Sequence, residues 1–294
     1  MIHPSTFSIV AYDPAEQAFG IAVASKFLAV GAVVPWARAG AGAVATQSYA
    51  NTTYGPLGLQ MMENGAGAQE ALQALLNADP LASQRQVGIV DSHGGSATHT
   101  GIECNTWAGC VNGPGYAIQG NILVGPGVVA AMKIAYLASA EPFYWRLYAA
   151  LRAGDEAGGD RRGRQSAAIL VVKPRGGYAG FNDRWIDYRV DDDPDPVARL
   201  KDLLALHDLY FGESDGQDKL NLQGEPLIRL QRVMAVTGDY HGRLHGEYDD
   251  DTRRALDSFI GRENFEDRAD LAAGRLDRPV FDYLMARFED RPNP

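Results

Sequence analysis

Hydrophobic and polar positions along the first two thirds of the chain predict strands followed by helices, in a repeated order. Residues 6–12 and 19–25 are rich in β-branched and aromatic residues, and Asp13-Pro14 between them is typical of a tight turn. Leucine and methionine then recur at helical spacing. The predicted elements are strands over 6–12, 19–25, 33–37 and 43–47, helices over 54–64 and 68–76, strands over 86–91, 97–101 and 107–111, helices over 128–138 and 143–153, a strand over 166–172 and a helix over 194–209. This order predicts an α+β fold with helices outside packed sheets.

The last part of the chain has a different pattern and predicts a separate helical domain. From Asp218 onward 28 of 77 residues are charged, against 36 of the 217 residues before it. Apolar residues at helical spacing define three further segments, around 227–236, 251–259 and 280–288. We therefore expect an α+β domain over residues 1–210, a polar, glycine-containing linker over 211–219, and a small all-α domain over 220–294.

Charge and composition exclude several classes of protein. The net charge is −10, which is unsuited to coating a phosphate backbone, so no nucleic-acid partner is expected. No window approaches the roughly 18 apolar residues of a membrane helix, and no membrane partner is expected. Met1–Ser5 lack the basic and apolar regions of a secretory signal, and the two cysteines make no disulfide framework. Together these features predict a cytoplasmic protein.

Five separated motifs resemble those of a known group of proteins. They are Thr6–Ala11, Ala22–Phe27, Ala45–Asn51, Gly115–Asn121 and Gly159–Ala167. This set resembles a widespread, functionally unassigned bacterial family of the N-terminal-nucleophile (Ntn) hydrolase superfamily, which includes proteasome β subunits and penicillin acylases. The resemblance implies a four-layer αββα sandwich, which agrees with the order of elements. Residues 227–265 similarly resemble a peptidoglycan-binding domain.

The superfamily resemblance implies an amide-bond hydrolase whose nucleophile is the first residue of the mature chain. A hydroxyl group is a weak nucleophile at neutral pH and needs a base, and an α-amine with a pKa of about 8 can supply one. Thr6 is the candidate nucleophile by position. Unless Met1–Ser5 are removed, however, its nitrogen is an amide and that base is missing. The competing interpretation is a threonine that starts a strand, where β-branched residues are favoured.

Residues near the ends of two predicted strands are candidates for supporting roles by the same analogy. Ser25 and Lys26 end the second strand, where the ammonium group would favour a deprotonated nucleophile; a solvated strand-end lysine is the alternative. Gln47 and Ser48 end the fourth strand, where a backbone N–H and a side-chain amide would form an oxyanion hole.

Three further candidates lie later in the sequence. Asn121 is an additional amide donor, or alternatively a turn residue after a glycine-containing segment. Asp160 and Ser166 resemble the acidic and hydroxyl partners that proteasome-type sites keep near the nucleophile. The alternative for Asp160 is a solvent-exposed charged loop, because Arg161 and Arg162 follow it.

No metal or cofactor is expected. His93, His99, Cys104 and Cys110 have a spacing that fits no common zinc motif, and the aspartate runs 191–193 and 249–251 do not match a calcium loop. No glycine-rich segment has the lysine and hydroxyl residue of a phosphate loop.

Two functional hypotheses follow from these observations. In the first, the protein is an amidohydrolase that cleaves a small or peptide-like amide through Thr6. In the second, an Ntn-like scaffold without catalytic activity carries a helical domain that binds a glycan or a protein partner. A cytoplasmic location favours a C-terminal domain that shares only the helical fold of peptidoglycan-binding domains. The acidic composition is compatible with a homo-oligomer but predicts no stoichiometry.

Overall fold

The chain divides into two units, residues 1–203 and residues 204–294. The computed structural model describes residues 6–212 and 218–289. Residues 213–217 of the predicted linker and the predicted processing segment Met1–Ser5 lie outside the described residues. Among the helices of the described part, none is both long enough and apolar enough to span a membrane.

The described part of the first unit contains ten strands and four complete helices. A fifth helix begins in this unit and ends after its boundary at residue 203. In chain order they are β1 (Thr6–Asp13), β2 (Ala18–Ser25), β3 (Pro35–Arg38), β4 (Gly42–Ser48), α1 (Tyr54–Glu63), α2 (Ala68–Ala78), β5 (Arg85–Asp91), β6 (Ser96–Thr100), β7 (Gly109–Gly113), β8 (Tyr116–Asn121), α3 (Gly127–Ala138), α4 (Phe143–Glu156), β9 (Ser166–Val172), β10 (Arg184–Val190) and α5 (Pro196–Phe211). The predicted turn between β1 and β2 is held by the Asp13 carboxylate, which accepts a hydrogen bond from the Ala15 N–H over 2.9 Å.

Two antiparallel sheets form the centre of this unit. One has six strands in the order β10-β9-β2-β1-β8-β7, and the other has four strands in the order β3-β4-β5-β6. Apolar side chains from both sheets form one buried cluster that includes Val10, Ile21 and Val23 from the larger sheet and Ala45 and Val90 from the smaller one. The two sheets therefore bury their apolar faces against each other.

Helices cover the other faces of these sheets. Leu59 of α1 and Leu72 of α2 share a buried cluster with Val44 of β4. Helix α4 packs on β1 and β2, and it approaches Gly20 so closely that a Cβ there would lie 2.3 Å from Leu147. Glycine at position 20 thus permits the helix to contact the sheet. The α+β class predicted from the sequence is confirmed.

The second unit contains three helices and a small sheet within its described residues. They are β11 (Lys219–Asn221), α6 (Gly224–Val236), α7 (Asp250–Glu263), β12 (Ala269–Asp270), β13 (Arg275–Asp277) and α8 (Arg278–Phe288). The three predicted helical segments are present, but the domain is not all-α. Its strands pair antiparallel in the order β11-β13-β12, and strands of two or three residues are too short to show alternation. The N-cap of α7 is Asp249, whose carboxylate accepts from the Thr252 N–H over 2.8 Å.

Two strands of the large sheet were not predicted. In β8 the apolar run is interrupted by Gln119 and Gly120, which gives a weak strand signal. In β10 Ile186, Tyr188 and Val190 alternate with Asp187 and Arg189, a strand signal that the prediction missed. Asn121, for which a turn was the alternative, is the last residue of β8.

Candidate functional site

Four of the predicted site residues lie side by side across one end of the six-stranded sheet. Thr6 pairs with Asn121 of β8 on one side and with Ser25 of β2 on the other, and Ser25 pairs in turn with Ser166 of β9. All four side chains are buried. The Thr6 hydroxyl donates a hydrogen bond to Ser25 Oγ over 3.3 Å. We call Asn121, Thr6, Ser25 and Ser166 the strand-end row.

Asp160 reaches this end of the sheet from the loop before β9. Its Oδ2 accepts a hydrogen bond from the backbone N–H of Lys26 over 2.7 Å, and its Oδ1 accepts one from the N–H of Arg162 over 2.9 Å. The Arg162 guanidinium lies 3.0 Å from the carboxylate and compensates its buried charge. Asp160 is therefore not part of a fully solvated loop: it fixes the backbone directly after Ser25.

Ser166 holds the same segment from the neighbouring strand. Its hydroxyl donates to the carbonyl oxygen of Phe27 and accepts a hydrogen bond from the Val30 N–H over 3.1 Å. Asp160 and Ser166, the two predicted partners of the nucleophile, thus hold the backbone segment that follows β2 in place.

The Lys26 side chain is directed toward the loop that precedes β9. Its backbone N–H contacts Asp160, while its exposed ammonium group donates to the carbonyl oxygen of Arg164 over 3.2 Å. The Lys26 ammonium group thus contacts the loop before β9, whereas the sequence predicted that it would lie beside Thr6.

Buried carboxamides connect Thr6 to the smaller sheet. Gln47 Nε2 donates to the Thr6 carbonyl oxygen over 3.2 Å and to Gln86 Oε1 over 2.8 Å. Gln86 Oε1 also accepts from Asn121 Nδ2 over 2.9 Å. An amide nitrogen carries two protons, and both protons of Gln47 have protein acceptors here. The predicted oxyanion donor is thus engaged in holding the Thr6 backbone in place.

The same network continues through Ser8 and Gln119, which are not among the predicted site residues. The Ser8 hydroxyl donates to Gln47 Oε1 over 2.6 Å, and Gln119 Nε2 donates to Ser8 Oγ over 2.6 Å. The Gln119 carboxamide fits because residue 88 is glycine, where a Cβ would lie 2.1 Å from Gln119 Oε1. A polar residue beside apolar strand residues was the available signal for Ser8 and Gln119, because such a residue must find a partner when buried. Gln86, which follows Arg85 at the start of β5, gave no such signal.

Ser48 ends β4 in a left-handed conformation, with φ at 69°. Such a conformation is uncommon for a residue with a Cβ and is concentrated at functional sites. The side chain contacts the Cys104 thiol, whose pKa is raised by burial although the hydrogen bond with Ser48 lowers it in part. The backbone after Gln47 is thus turned away from regular strand geometry.

A buried ion pair anchors the segment that follows Ser48. Arg85, the strand partner of Ser48, lies with its Nε 2.8 Å from Asp79 Oδ2 and also donates to the Tyr49 carbonyl oxygen. Asn51 Nδ2 donates to the same carboxylate over 3.0 Å. The segment from Tyr49 to Asn51 is thereby fixed to the smaller sheet.

This arrangement shifts two pKa values in opposite directions. The hydrogen bond from Arg85 holds the pKa of the Asp79 carboxyl well below its usual range, against the opposing effect of burial. Burial, and then the hydrogen bond to Asp79, raise the pKa of the Tyr54 hydroxyl. Asp79 is therefore ionised and Tyr54 neutral across the physiological pH range.

A pocket of about 360 Å³ opens beside the strand-end row. Ser25, Asp160 and Ser166 line it together with Arg164, and Phe7 and Val197 contribute apolar surface. Its volume falls in the lower part of the range for small-molecule sites. The pocket is thus in contact with three of the eight predicted site residues.

The described ranges 6–212 and 218–289 contain no group of three or more His, Cys, Asp or Glu side chains placed to hold a metal ion. Of the four residues considered for zinc, His99 contacts the Ala82 carbonyl oxygen over 2.9 Å, and Cys104 is buried while Cys110 is exposed.

Comparison with known proteins finds one family model that matches each part of the chain. Residues 6–200 match the model of a family described as "Family of unknown function (DUF1028)", and residues 210–284 match that of a family described as "Putative peptidoglycan binding domain". The crystal structure of protein SPO2555 from Silicibacter pomeroyi, assigned to the DUF1028 model, is 32% identical in sequence and has a TM-score of 0.64. The match covers 73% of this chain and 92% of that one. No curated protein matches the sequence. The DUF1028 family model matches residues 6–200, which are about two thirds of the chain. The chain therefore belongs to the DUF1028 family.

Proposed function

We propose that the first unit is an Ntn-type αββα sandwich of four layers and acts as an amidohydrolase with Thr6 as nucleophile. The observation that carries this proposal is the position of the Thr6 hydroxyl, 3.3 Å from Ser25 Oγ at the end of a central strand. Ser25 in turn lines the adjacent pocket. Strand ends on a rigid scaffold are where catalytic side chains are commonly presented.

The proposed reaction begins with removal of Met1–Ser5, which leaves Thr6 with a free α-amine. The amine accepts the proton of the Thr6 hydroxyl as its oxygen attacks the carbonyl carbon of the substrate amide. The C–N bond then breaks, and the departing amine takes up that proton. Water hydrolyses the resulting ester and restores the hydroxyl. Thr6 is fully buried in the described chain, so processing must also open it to the pocket.

The remaining residues of the site divide into two roles in this proposal. Gln47 is a positioning residue, because its amide holds the Thr6 carbonyl oxygen and has no donor left for an oxyanion. Asn121, Asp160 and Ser166 likewise position the strand ends. Ser48, with its left-handed backbone, is our candidate for a backbone oxyanion donor.

The pocket favours a small substrate over a folded protein. A volume of about 360 Å³ holds a small molecule or the side chain and end of a peptide. Hydroxyl, carboxylate and guanidinium groups lie among its lining residues, and these suit a polar amide or peptide-like compound.

Intact-mass measurement with N-terminal sequencing tests the proposal first. We expect a species that begins at Thr6, and only this species should hydrolyse members of a panel of acyl amides and short peptides. Chain carrying Met1–Ser5, purified separately, is the matched control and should be inactive because it lacks the α-amine. Detection of full-length chain alone, or equal hydrolysis by both species, would contradict the proposed mechanism.

We infer a second function, glycan binding, for the C-terminal unit. The supporting observation is the match of residues 210–284 to a family described as peptidoglycan-binding. Three helices and a small sheet share one apolar core there, with Leu230, Phe259 and Leu284 fully buried. This unit would bring a glycan partner to the same chain as the proposed hydrolase.

Cosedimentation with insoluble peptidoglycan tests this second function. We expect the full chain to pellet with purified peptidoglycan and to remain in the supernatant with cellulose, which lacks the peptide and lactyl groups. Binding should persist at high salt, since a protein of net charge −10 gains little from nonspecific attraction to an anionic polymer. Equal pelleting with both polymers, or with neither, would be inconsistent with a peptidoglycan partner.

A further inference from the structure

The pocket beside the strand-end row is lined by both apolar and charged residues. Its charged lining residues are Asp155, Asp160 and Arg164, and its apolar lining residues include Phe7, Ala24 and Val197. A ligand that fills the pocket therefore meets apolar surface and ionised groups together. Which charge the ligand carries depends on which of these ionised groups already have a partner.

Both carboxylates that line the pocket are already paired with arginines. The Arg162 guanidinium lies 3.0 Å from Asp160, which also accepts backbone hydrogen bonds. Asp155, whose side chain is largely buried, accepts a hydrogen bond from Arg164 Nε over 2.8 Å. A cationic ligand would have to displace an arginine from one of these carboxylates, and leaving a buried charge uncompensated is costly. The lining residues therefore do not favour a cationic ligand.

The Arg164 guanidinium, in contrast, has donors to spare. A guanidinium group carries five N–H bonds in a fixed plane. Within residues 6–212 and 218–289, only its Nε donates a hydrogen bond, and that bond is to Asp155. Asp195 lies 3.9 Å from a terminal nitrogen, too far for a hydrogen bond. Since the side chain is 45% exposed, the terminal N–H groups are accessible to a ligand.

Lys26 brings a second cation to the same loop. Its exposed ammonium group donates to the Arg164 carbonyl oxygen over 3.2 Å. Among the described residues, no hydrogen bond joins this ammonium group to a carboxylate. The terminal nitrogens of Arg164 and the ammonium group of Lys26 are thus both available to an anion.

We propose that Arg164 binds a carboxylate group of the substrate, an inference that rests on the proposed amidohydrolase function of this site. The two terminal nitrogens of Arg164 donate to the two carboxylate oxygens, the bidentate geometry that distinguishes arginine from lysine. Asp155 orients the guanidinium by holding its Nε. The apolar lining residues receive a neighbouring apolar group. The substrate is therefore an amide with a carboxylate beside an apolar group, as in N-acyl amino acids and the C-terminal ends of peptides.

Isothermal titration of the full chain with matched pairs of probes tests this assignment without requiring hydrolysis. The probes are the N-acetyl derivatives of alanine, leucine and phenylalanine, each as the free acid and as the carboxamide. We expect the wild-type chain to bind the free acids at least about 10-fold more tightly than the carboxamides. Arg164→Gln should remove this preference. Arg164→Lys should retain part of it, because lysine keeps the charge but not the planar pair of donors.

Asp195→Asn should have the opposite effect. Its carboxylate lies 3.9 Å from Arg164 and competes with that of the ligand, so its removal should strengthen binding of the free acids and leave the carboxamides unchanged. The matched control is Arg152→Gln, which removes an arginine paired with the exposed Glu156 and outside the pocket lining. This control should change no affinity. Circular dichroism shows whether each variant is folded, and general damage to the pocket would weaken both members of a pair equally.

Release of the free amino acid or its carboxamide, measured separately, distinguishes this inference from the proposed hydrolase. If no probe is hydrolysed but the free acids bind through Arg164, the hydrolase is wrong and the carboxylate site stands. If acids and carboxamides are hydrolysed and bound equally well, the hydrolase stands and the carboxylate site is wrong. A preference for the free acids that the folded Arg164→Gln variant retains, or no binding of any probe, would also overturn the inference.

Discussion

Replacing Thr6 by valine is expected to abolish amide hydrolysis, with a loss in kcat/KM of at least about 10³-fold. Valine retains the β-branched shape that suits the first position of β1, and Thr6 is fully buried there. The substitution therefore removes the hydroxyl group with little change in packing. It also removes the hydrogen bond to Ser25, whose own hydroxyl stays in place.

Thr6→Ser is the matched control for this experiment. Serine keeps both the hydroxyl and, after processing, the α-amine, so we expect hydrolysis to persist at a reduced rate. Both variants should be assayed on the amide that the wild-type enzyme cleaves, and after confirmation that each begins at residue 6. If the valine variant, correctly processed and folded, retained the wild-type rate, Thr6 would not be the nucleophile.

Most of the fold could be predicted because its strands and helices have distinct periodicities. Strand β9 is a nearly continuous apolar run, and α2 has leucine at helical spacing. Strands β8 and β10 were not predicted. In β10 the alternation of Ile186, Tyr188 and Val190 with Asp187 and Arg189 was overlooked. In β8 the buried Gln119 and Asn121 are stable only because the neighbouring strand and the facing sheet supply their partners. Such tertiary partners cannot be recognised from local periodicity.

The candidate site was predictable in part, for a similar reason. Motif resemblance selected Thr6, Ser25 and Ser166, and strand pairing brings them into one row. The direction of the Lys26 ammonium group could not be predicted, because it depends on the loop that passes beside it. The hydrogen bond from Gln47 to the Thr6 carbonyl oxygen depends on which residues of the two sheets face each other. It could not be predicted, because the spacing of residues within one strand does not show how two sheets pack.

Removal of the buried Asp79 carboxylate is expected to destabilise the first unit strongly. Asp79→Asn leaves the Arg85 guanidinium buried without its charged partner, and breaking a buried pair in this way typically costs about 3 kcal/mol. The matched control is Asp202→Asn. Asp202 pairs with Arg199 over 3.1 Å, but both side chains are largely exposed, and such a surface pair contributes at most about 1 kcal/mol. The same chemical change should therefore have a much larger effect at position 79.

The effect of Asp79→Asn should also depend on pH. Because Arg85 lowers the pKa of Asp79 in the folded chain, the carboxylate stabilises the fold above the pKa of an unfolded aspartate, about 3.9. That stabilisation is lost as the pH falls below this value toward the folded-state pKa. The stability difference between wild type and Asp79→Asn should thus be constant near neutral pH and narrow in acid.

Urea unfolding followed by tryptophan fluorescence measures this difference in the appropriate part of the chain. All four tryptophans lie in the first unit, at positions 36, 107, 145 and 185. The fluorescence transition therefore reports on the unit that contains Asp79, whatever the stability of the C-terminal unit. A cost for Asp79→Asn no larger than that for Asp202→Asn, or a difference that does not narrow in acid, would show that the pair does not anchor the segment after Ser48. Agreement with both expectations would establish that the backbone next to Gln47 is held by a buried charge, as a preorganised site requires.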